Sequence, residues 1–230
     1  MAIKLGTTNV RPKGISKAYL GSDLVFQSQN YAPATTTALY HFDGNLTNET
    51  GQSSATGTYT QETGKFNLAT RCNGRYLIPQ VSVETLKTGD FTFEFWIKRR
   101  NSTNNLVFCV DRNNAAVTFV STNVLTNGLI PTTAYAQSGT TTVIYKPSTF
   151  NIQEWHHIAV VFHNGTIYCF LDGKLSSTST VRNLNSIEVI SGLNVDWQWS
   201  DFNIDEYLAC MEAKYLSDFT PSTKPYALRS

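Results

Sequence analysis

Three things are scarce in this chain, and each scarcity narrows what it can be. Apolar runs are short. None approaches the roughly 18 residues a membrane-spanning helix needs, and the N-terminal stretch Met1–Val10 lacks the apolar core of a signal peptide. Charge is sparse, at 15% of residues, and balanced to a formal +1. A chain whose main partner is nucleic acid or an acidic membrane presents a basic surface, so neither partner is expected. Cysteine is limited to Cys72, Cys109, Cys169 and Cys210, none in a CxxC or other metal-like spacing. They read as buried, reduced thiols.

Catalytic motifs are missing as well. There is no G-x-S-x-G elbow, HExxH, phosphate-binding loop or dinucleotide-binding glycine set. Glycoside hydrolysis needs two carboxylates across a sugar, about 5–9 Å apart. On a strand, acids two positions apart share a face. The positions two away from Asp205 are Asn203 and Tyr207, and the adjacent Asp205 and Glu206 face apart on a regular strand. His156 and His157 are likewise adjacent and cannot jointly hold a metal; they read as polar residues at a strand end. The chain is therefore expected not to be an enzyme.

What is present is Thr, Ser, Asn and Gly in abundance, with 41% hydrophobic residues over 230 positions. That composition favours strands and turns over helices, with room for one large all-β domain or two small ones. The strongest local signal runs from Trp155 to Lys174. Two apolar runs flank Asn164-Gly165, a pair suited to the positive φ angles of a tight hairpin turn. That turn sets Phe162 opposite Ile167, Val160 opposite Cys169 and Ile158 opposite Leu171, six apolar residues on one face. Ala159 and Val161 lie opposite Phe170 and Tyr168 on the other. A hairpin this apolar on both faces is an inner pair.

Further strands are expected at Ala38–Phe42, Phe66–Arg71, Tyr76–Ile78, Phe91–Lys98, Leu106–Val110, Ala116–Val120, Thr141–Tyr145, Ile187–Ile190 and Ile204–Cys210. Cys72-Asn73-Gly74 reads as a turn, Glu84–Lys87 as one helical turn, and Ala213–Leu216 as a last strand or turn of helix. In Phe91–Lys98, Phe91, Phe93, Phe95 and Ile97 form the core face. About ten to twelve short strands without helical periodicity indicate a two-sheet antiparallel sandwich or jelly roll.

Four stretches, in order, resemble the laminin G-like, concanavalin A-type jelly-roll domains: Ala38–Gly44, Phe91–Lys98, Trp155–Lys174, and Ile204–Tyr207 leading into Tyr215–Pro221. The hydrolase branch of that fold resembles Glu-x-Asp-x-Glu, which this chain lacks around Asp205. The resemblance implies a calcium ion held near Asp43 and Gly44 with help from Asp205, since calcium takes carboxylate and carbonyl oxygens from turns. It also suggests glycan binding, which needs an aromatic plane beside polar groups. Trp197 and Trp199, of equal parity in a loop-like run, are the candidates for it, followed by Tyr135.

The N-terminus stands apart. Leu5-Gly6-Thr7-Thr8-Asn9-Val10 recurs as Leu20-Gly21-Ser22-Asp23-Leu24-Val25, two short strand-turn-strand units that cannot bury a core of their own. They must dock on the main domain, a sister chain or a larger assembly. This arm resembles short N-terminal elements of bacteriophage virion proteins. The resulting expectation is an attachment arm over residues 1–30, a linker over 31–36 and a jelly roll over 37–230. The chain would sit on a phage tail or capsid surface, bound to other virion proteins through the arm and displaying the jelly roll to a cell-surface glycan. A free lectin is the alternative, and a glycoside hydrolase a more distant one.

Overall fold

The computed structural model describes residues 3–5, 8–10, 17–20, 23–27, 30–52, 54–55, 57, 59–73, 89–100, 132–136, 140–145, 153–164, 166–180 and 201–228. Among them every regular element is a strand. In chain order these are β1 (Ile3–Leu5), β2 (Thr8–Val10), β3 (Lys17–Leu20), β4 (Asp23–Gln27), β5 (Thr36–Tyr40), β6 (Thr60–Thr63), β7 (Leu68–Asn73), β8 (Phe91–Arg99), β9 (Thr132–Ala136), β10 (Thr140–Tyr145), β11 (Trp155–His163), β12 (Thr166–Leu171), β13 (Lys174–Thr180) and β14 (Asp201–Cys210).

One eight-stranded antiparallel sheet dominates, in the order β13-β12-β11-β8-β14-β7-β6, with β5 also on β14. Strand β14 forks the sheet. Its first half pairs with β7 and its second with β5, while β8 runs along its other edge. At the fork, two residues of β14, Glu206 and Tyr207, stand against Phe95 alone between the Asp205↔Trp96 and Leu208↔Glu94 pairs. This β-bulge puts Glu206 at φ 51° and re-aims its side chain.

The β11–β12 register is the one the Asn164-Gly165 turn dictates: Phe162↔Ile167, Val160↔Cys169 and Ile158↔Leu171. β8 pairs with β11 so that Phe91, Phe93 and Phe95 meet Phe162, Val160 and Ile158 on one face. On this aromatic face Phe91 stacks on Phe162 with centroids 5.2 Å apart, and Tyr207 stacks on Phe95 at 6.1 Å. Phe91, Phe95, Ile97, Ile204 and Tyr207 are fully buried, as in a face covered by a second layer.

The opposite face carries Thr92, Glu94, Trp96 and Lys98 of β8. Much of it is covered by residues 211–228, an irregular strap rather than the expected strand or helical turn at Ala213–Leu216. Tyr215 and Phe219 of the strap stack on each other and edge onto Phe170, over Ala159 and Val161. Tyr226 joins Ala32, Leu39, Leu208 and Cys210 in a second cluster. Stretch 31–36, expected to be a linker, is tied down instead. The Ala32 N–H donates to the Ala227 carbonyl and the Ala227 N–H to the Asn30 carbonyl, each at 2.9 Å, Tyr31 bridges Ala227, and the Asn30 amide donates to Ser222 Oγ at 2.7 Å.

The β12–β13 connection anchors the strap. Asp172 and Gly173 both adopt positive φ (50° and 76°), the signature of a two-residue type I′ turn. The Gly173 carbonyl accepts the Phe219 N–H at 2.8 Å. A Cβ on Gly173 would overlap the Phe219 carbonyl oxygen and lie 2.7 Å from Pro221 Cδ. Gly173→Ala is therefore expected to cost about 2–4 kcal/mol, combining left-handed strain with overpacking. The check is the urea midpoint, together with faster proteolysis of the C-terminal tail; an unchanged midpoint would contradict the tight approach.

Two other differences from the sequence reading concern strand limits. Cys72 and Asn73 lie within β7 rather than in a turn. The polar strand β13 was not anticipated, because Lys174–Thr180 has no apolar alternation. Cys169 and Cys210 are buried, as expected. Tyr76–Ile78, Glu84–Lys87, Leu106–Val110, Ala116–Val120 and Ile187–Ile190 lie outside the described residues. At the N-terminus the repeat does fold as two hairpins, with Leu5 opposite Thr8 and Leu20 opposite Asp23.

Candidate functional site

Three acids of β8 and β14 are buried: Glu94, Asp205 and Glu206, at 0–2% exposure. A carboxylate tolerates such burial only with compensating donors or by taking up a proton. Glu94, on the strap side of β8, meets Lys214 Nζ and accepts the Tyr226 hydroxyl at 2.5 Å. Tyr226 in turn lies 3.0 Å from Lys214 Nζ. Burial disfavours the charge on Glu94, yet the Lys214 ammonium outweighs it and holds the carboxyl below its usual range. Burial raises both tyrosines, Tyr215 and Tyr226, and the charge on Glu94 adds to the effect.

His157 lies beside this cluster, with Nε2 3.7 Å from Glu94 and its ring edged by Trp96 and Phe219. Burial pulls it down to about 4, so it stays neutral at physiological pH. His156 faces the other way, its Nδ1 2.7 Å from Asp172. The two histidines diverge, as adjacent strand residues must.

Asp205 takes a different course. Its Oδ2 accepts the backbone N–H groups of Lys65 and Phe66, at 2.7 and 3.0 Å. Burial, with the neighbouring negative charges of Glu206 and Asp43, still pushes it up to about 7. Glu206, displaced by the bulge, accepts the Tyr226 N–H at 2.9 Å and sits 2.6 Å from His41 Nδ1. That hydrogen bond to Glu206 raises His41 despite its partial burial.

Asp43 grips the same turn as Asp205 from the other end, accepting the Leu68 N–H at 2.8 Å and the Asn67 amide at 2.9 Å. The Gly44 N–H donates to the Phe42 carbonyl at 3.0 Å. Of the three residues expected at a calcium ion, Asp43 and Asp205 thus both bind turn 64–68. No cluster of three or more His, Cys, Asp or Glu arranged to hold a metal occurs among the described residues. Trp197 and Trp199 lie outside the described residues; Tyr135 lies on β9, and its side chain is likewise outside them. Sequence reasoning missed the Glu94–Lys214–Tyr226 cluster. Its one local sign was an acid on a strand whose other face is wholly apolar.

A family model for the concanavalin A-like lectin/glucanases superfamily, of laminin G type, matches residues 72–207. The chain belongs to that superfamily. None of the curated protein sequences matches it. Solved structures share the fold at low identity. Domain 4 of AbnA, a GH43 extracellular arabinanase from Geobacillus stearothermophilus solved with arabinotriose, aligns at 18% identity and a TM-score of 0.54, over 78% of this chain and 93% of that one. The binding domain of botulinum neurotoxin serotype D/C aligns at 12% identity and TM-score 0.56, over 79% of this chain and 50% of that one. The Trypanosoma rangeli sialidase in complex with 2,3-difluorosialic acid aligns at 9% identity and TM-score 0.59, over 80% of this chain and 32% of that one. This superfamily member therefore spans half of the neurotoxin binding domain and about a third of the sialidase.

Proposed function

We propose that this superfamily member is a non-catalytic glycan-recognition module, carried on a bacteriophage tail or capsid surface by its N-terminal arm. The observation behind the non-catalytic reading is that Glu94, Asp205 and Glu206 are each buried and bound to internal donors. A glycosidase needs two carboxylates free to face a sugar. Glycan binding is supported by superfamily membership and by structural neighbours that include a domain of an arabinanase solved with arabinotriose and the binding domain of a neurotoxin. Trp197, Trp199 and Tyr135 are the stacking residues proposed from the sequence.

Attachment through residues 1–30 is supported by the two separate hairpins, β1–β2 and β3–β4, each a two-stranded sheet. Such a sheet is marginal in water without a partner, which virion proteins or a second copy of the chain would supply. Calcium near Asp43, Gly44 and Asp205 belongs to the same proposal. The residues fit an ion in one respect: the mutual repulsion of Asp43, Asp205 and Glu206 is what a cation relieves.

The test is a glycan array probed with and without calcium, together with a chain lacking residues 1–30. Glycan binding is expected in both proteins, and incorporation into particles only in the intact one. Particle incorporation without the arm would overturn the anchor. Glycan binding with no particle association by the intact chain would favour a free lectin.

A further inference from the structure

The strap is tied down by backbone at its two ends and mostly by side chains in between. At one end the Met211 N–H donates to the Thr35 carbonyl at 3.0 Å. At the other, Ala227 is bonded to Asn30 and Ala32, and Glu206 accepts the Tyr226 N–H. Over residues 213–221 the Lys214 N–H donates to Thr92 Oγ1 at 3.1 Å and the Phe219 N–H to the Gly173 carbonyl at 2.8 Å. Asp218, at the exposed rim, accepts the Leu175 N–H at 2.8 Å. The other contacts here are the Lys214–Glu94 pair and the packing of Tyr215 and Phe219 over Phe170, Ala159 and Val161. A segment without a strand ladder, fixed at both ends, can open on its own while the sheet beneath stays intact.

His157 lies directly under this middle portion. Its ring is buried between Trp96, 5.1 Å away, and Phe219, 5.7 Å away, each edge-on. Its Nδ1 has no hydrogen-bond partner, and its Nε2 is 3.7 Å from Glu94, beyond hydrogen-bond reach. An imidazolium carries two N–H donors, and neither has an acceptor in place here. The surrounding charges pull in both directions. Glu94 on β8 and Asp172 at the β12–β13 turn favour a proton on His157, while Lys214 on the strap and Lys65 on turn 64–68 oppose it. The charge on Glu94 is already engaged by the Lys214 ammonium and the Tyr226 hydroxyl. On the same strand His156 turns to Asp172, and His41 acts on the strap only through Glu206, at the fixed end. Burial decides the balance and keeps the covered ring neutral. Lifting Lys214 and Phe219 gives His157 water and removes an opposing charge.

We propose that His157 is an acid-sensing pin: a proton taken up by its imidazole lifts residues 213–221 off the sheet and uncovers Ala159, Val161 and Phe170 while the sandwich stays folded. The sign follows from linkage. The ring sits at about 4 under the closed strap and at its ordinary 6.5 once exposed. Closure is therefore fully supported above pH 6.5 and loses that support as pH falls toward 4. Glu94, held below its ordinary value while the strap is closed, titrates at lower pH than His157 released from cover. The device does not depend on the glycan reading.

Amide hydrogen exchange of the full chain at pH 7 and pH 5, corrected for the intrinsic pH dependence of exchange, tests it. The opening constants read at the Lys214 and Phe219 amides are expected to rise about 20-fold from pH 7 to pH 5. At both pH values they should exceed the opening constant at Val160, in the centre of the β8–β11–β12 ladder. His157→Phe keeps a ring against Trp96 and Phe219 without a titrating nitrogen, and should hold the change below about threefold. His157→Leu gives the same reading with a smaller side chain. Opening at Lys214 and Phe219 that ignores pH in the wild type overturns the proposal, as does an equal rise in both variants. Identical opening constants at Phe219 and Val160 also overturn it, because the strap would then part only with the whole fold.

Discussion

Lys214→Met is expected to destabilise the protein by about 3–5 kcal/mol, because it leaves the Glu94 carboxylate buried without its cation. Glu94 has no exposure, and Lys214 reaches it from the strap with 11% of its own side chain exposed. The Tyr226 hydroxyl remains as a donor, but one neutral hydrogen bond does not offset desolvation of a full charge. The variant can escape part of the cost by protonating Glu94. Its folded-state pKa would then lie above the unfolded value, so the deficit should be larger at pH 8 than at pH 5. Adding Glu94→Gln removes the charge itself, and the double variant should recover all but about 1–2 kcal/mol. Urea unfolding of the four proteins gives the coupling energy directly. A single-variant cost below about 1 kcal/mol would mean that the strap is not held by this pair.

That cluster also marks the limit of what could be read from the chain. The hairpin register was legible because Asn164-Gly165 allows few turns and both flanking runs are apolar. The core face of β8 was legible because Phe91, Phe93, Phe95 and Ile97 alternate without interruption. β13 was not, since an edge strand of Ser and Thr buries too little to leave a pattern. The bulge at Glu206 escaped notice for a different reason: it inserts one residue without changing composition, and only the break in register shows it. The strap was beyond local inference. Lys214 lies 120 positions from Glu94, and no periodicity links them. The candidate sites fared likewise. Asp43 and Asp205 both accept N–H groups of turn 64–68, a meeting that depends on how β14 pairs rather than on any spacing in the chain.

The second large effect concerns Asp205 and pH. Its folded-state pKa of about 7 lies above the unfolded value of 3.8, so the folded protein keeps a proton that the unfolded chain sheds. This contribution is fully present below pH 3.8 and is lost as pH rises to 7. About three pH units at 1.36 kcal/mol each make a cost near 4 kcal/mol above neutrality. His157 works in the opposite direction. Its folded value of about 4 lies below the unfolded 6.5, so its contribution is complete above pH 6.5 and is lost as pH falls toward 4, by about 3 kcal/mol. In the wild type these two contributions oppose each other between pH 4 and 7. Asp205→Asn keeps a neutral acceptor for the Lys65 and Phe66 N–H groups and removes one side of the balance. In chelator its stability should climb steeply from pH 4 to 6.5, exceed the wild type by about 2–4 kcal/mol at pH 8, and converge with it near pH 4. Parallel profiles would show that Asp205 ionises normally in the folded protein. The same two proteins address the proposed ion. Added calcium should raise the wild-type midpoint and leave Asp205→Asn unmoved, because binding to the native state alone stabilises by mass action. Equal shifts in both would place calcium away from Asp43, Gly44 and Asp205.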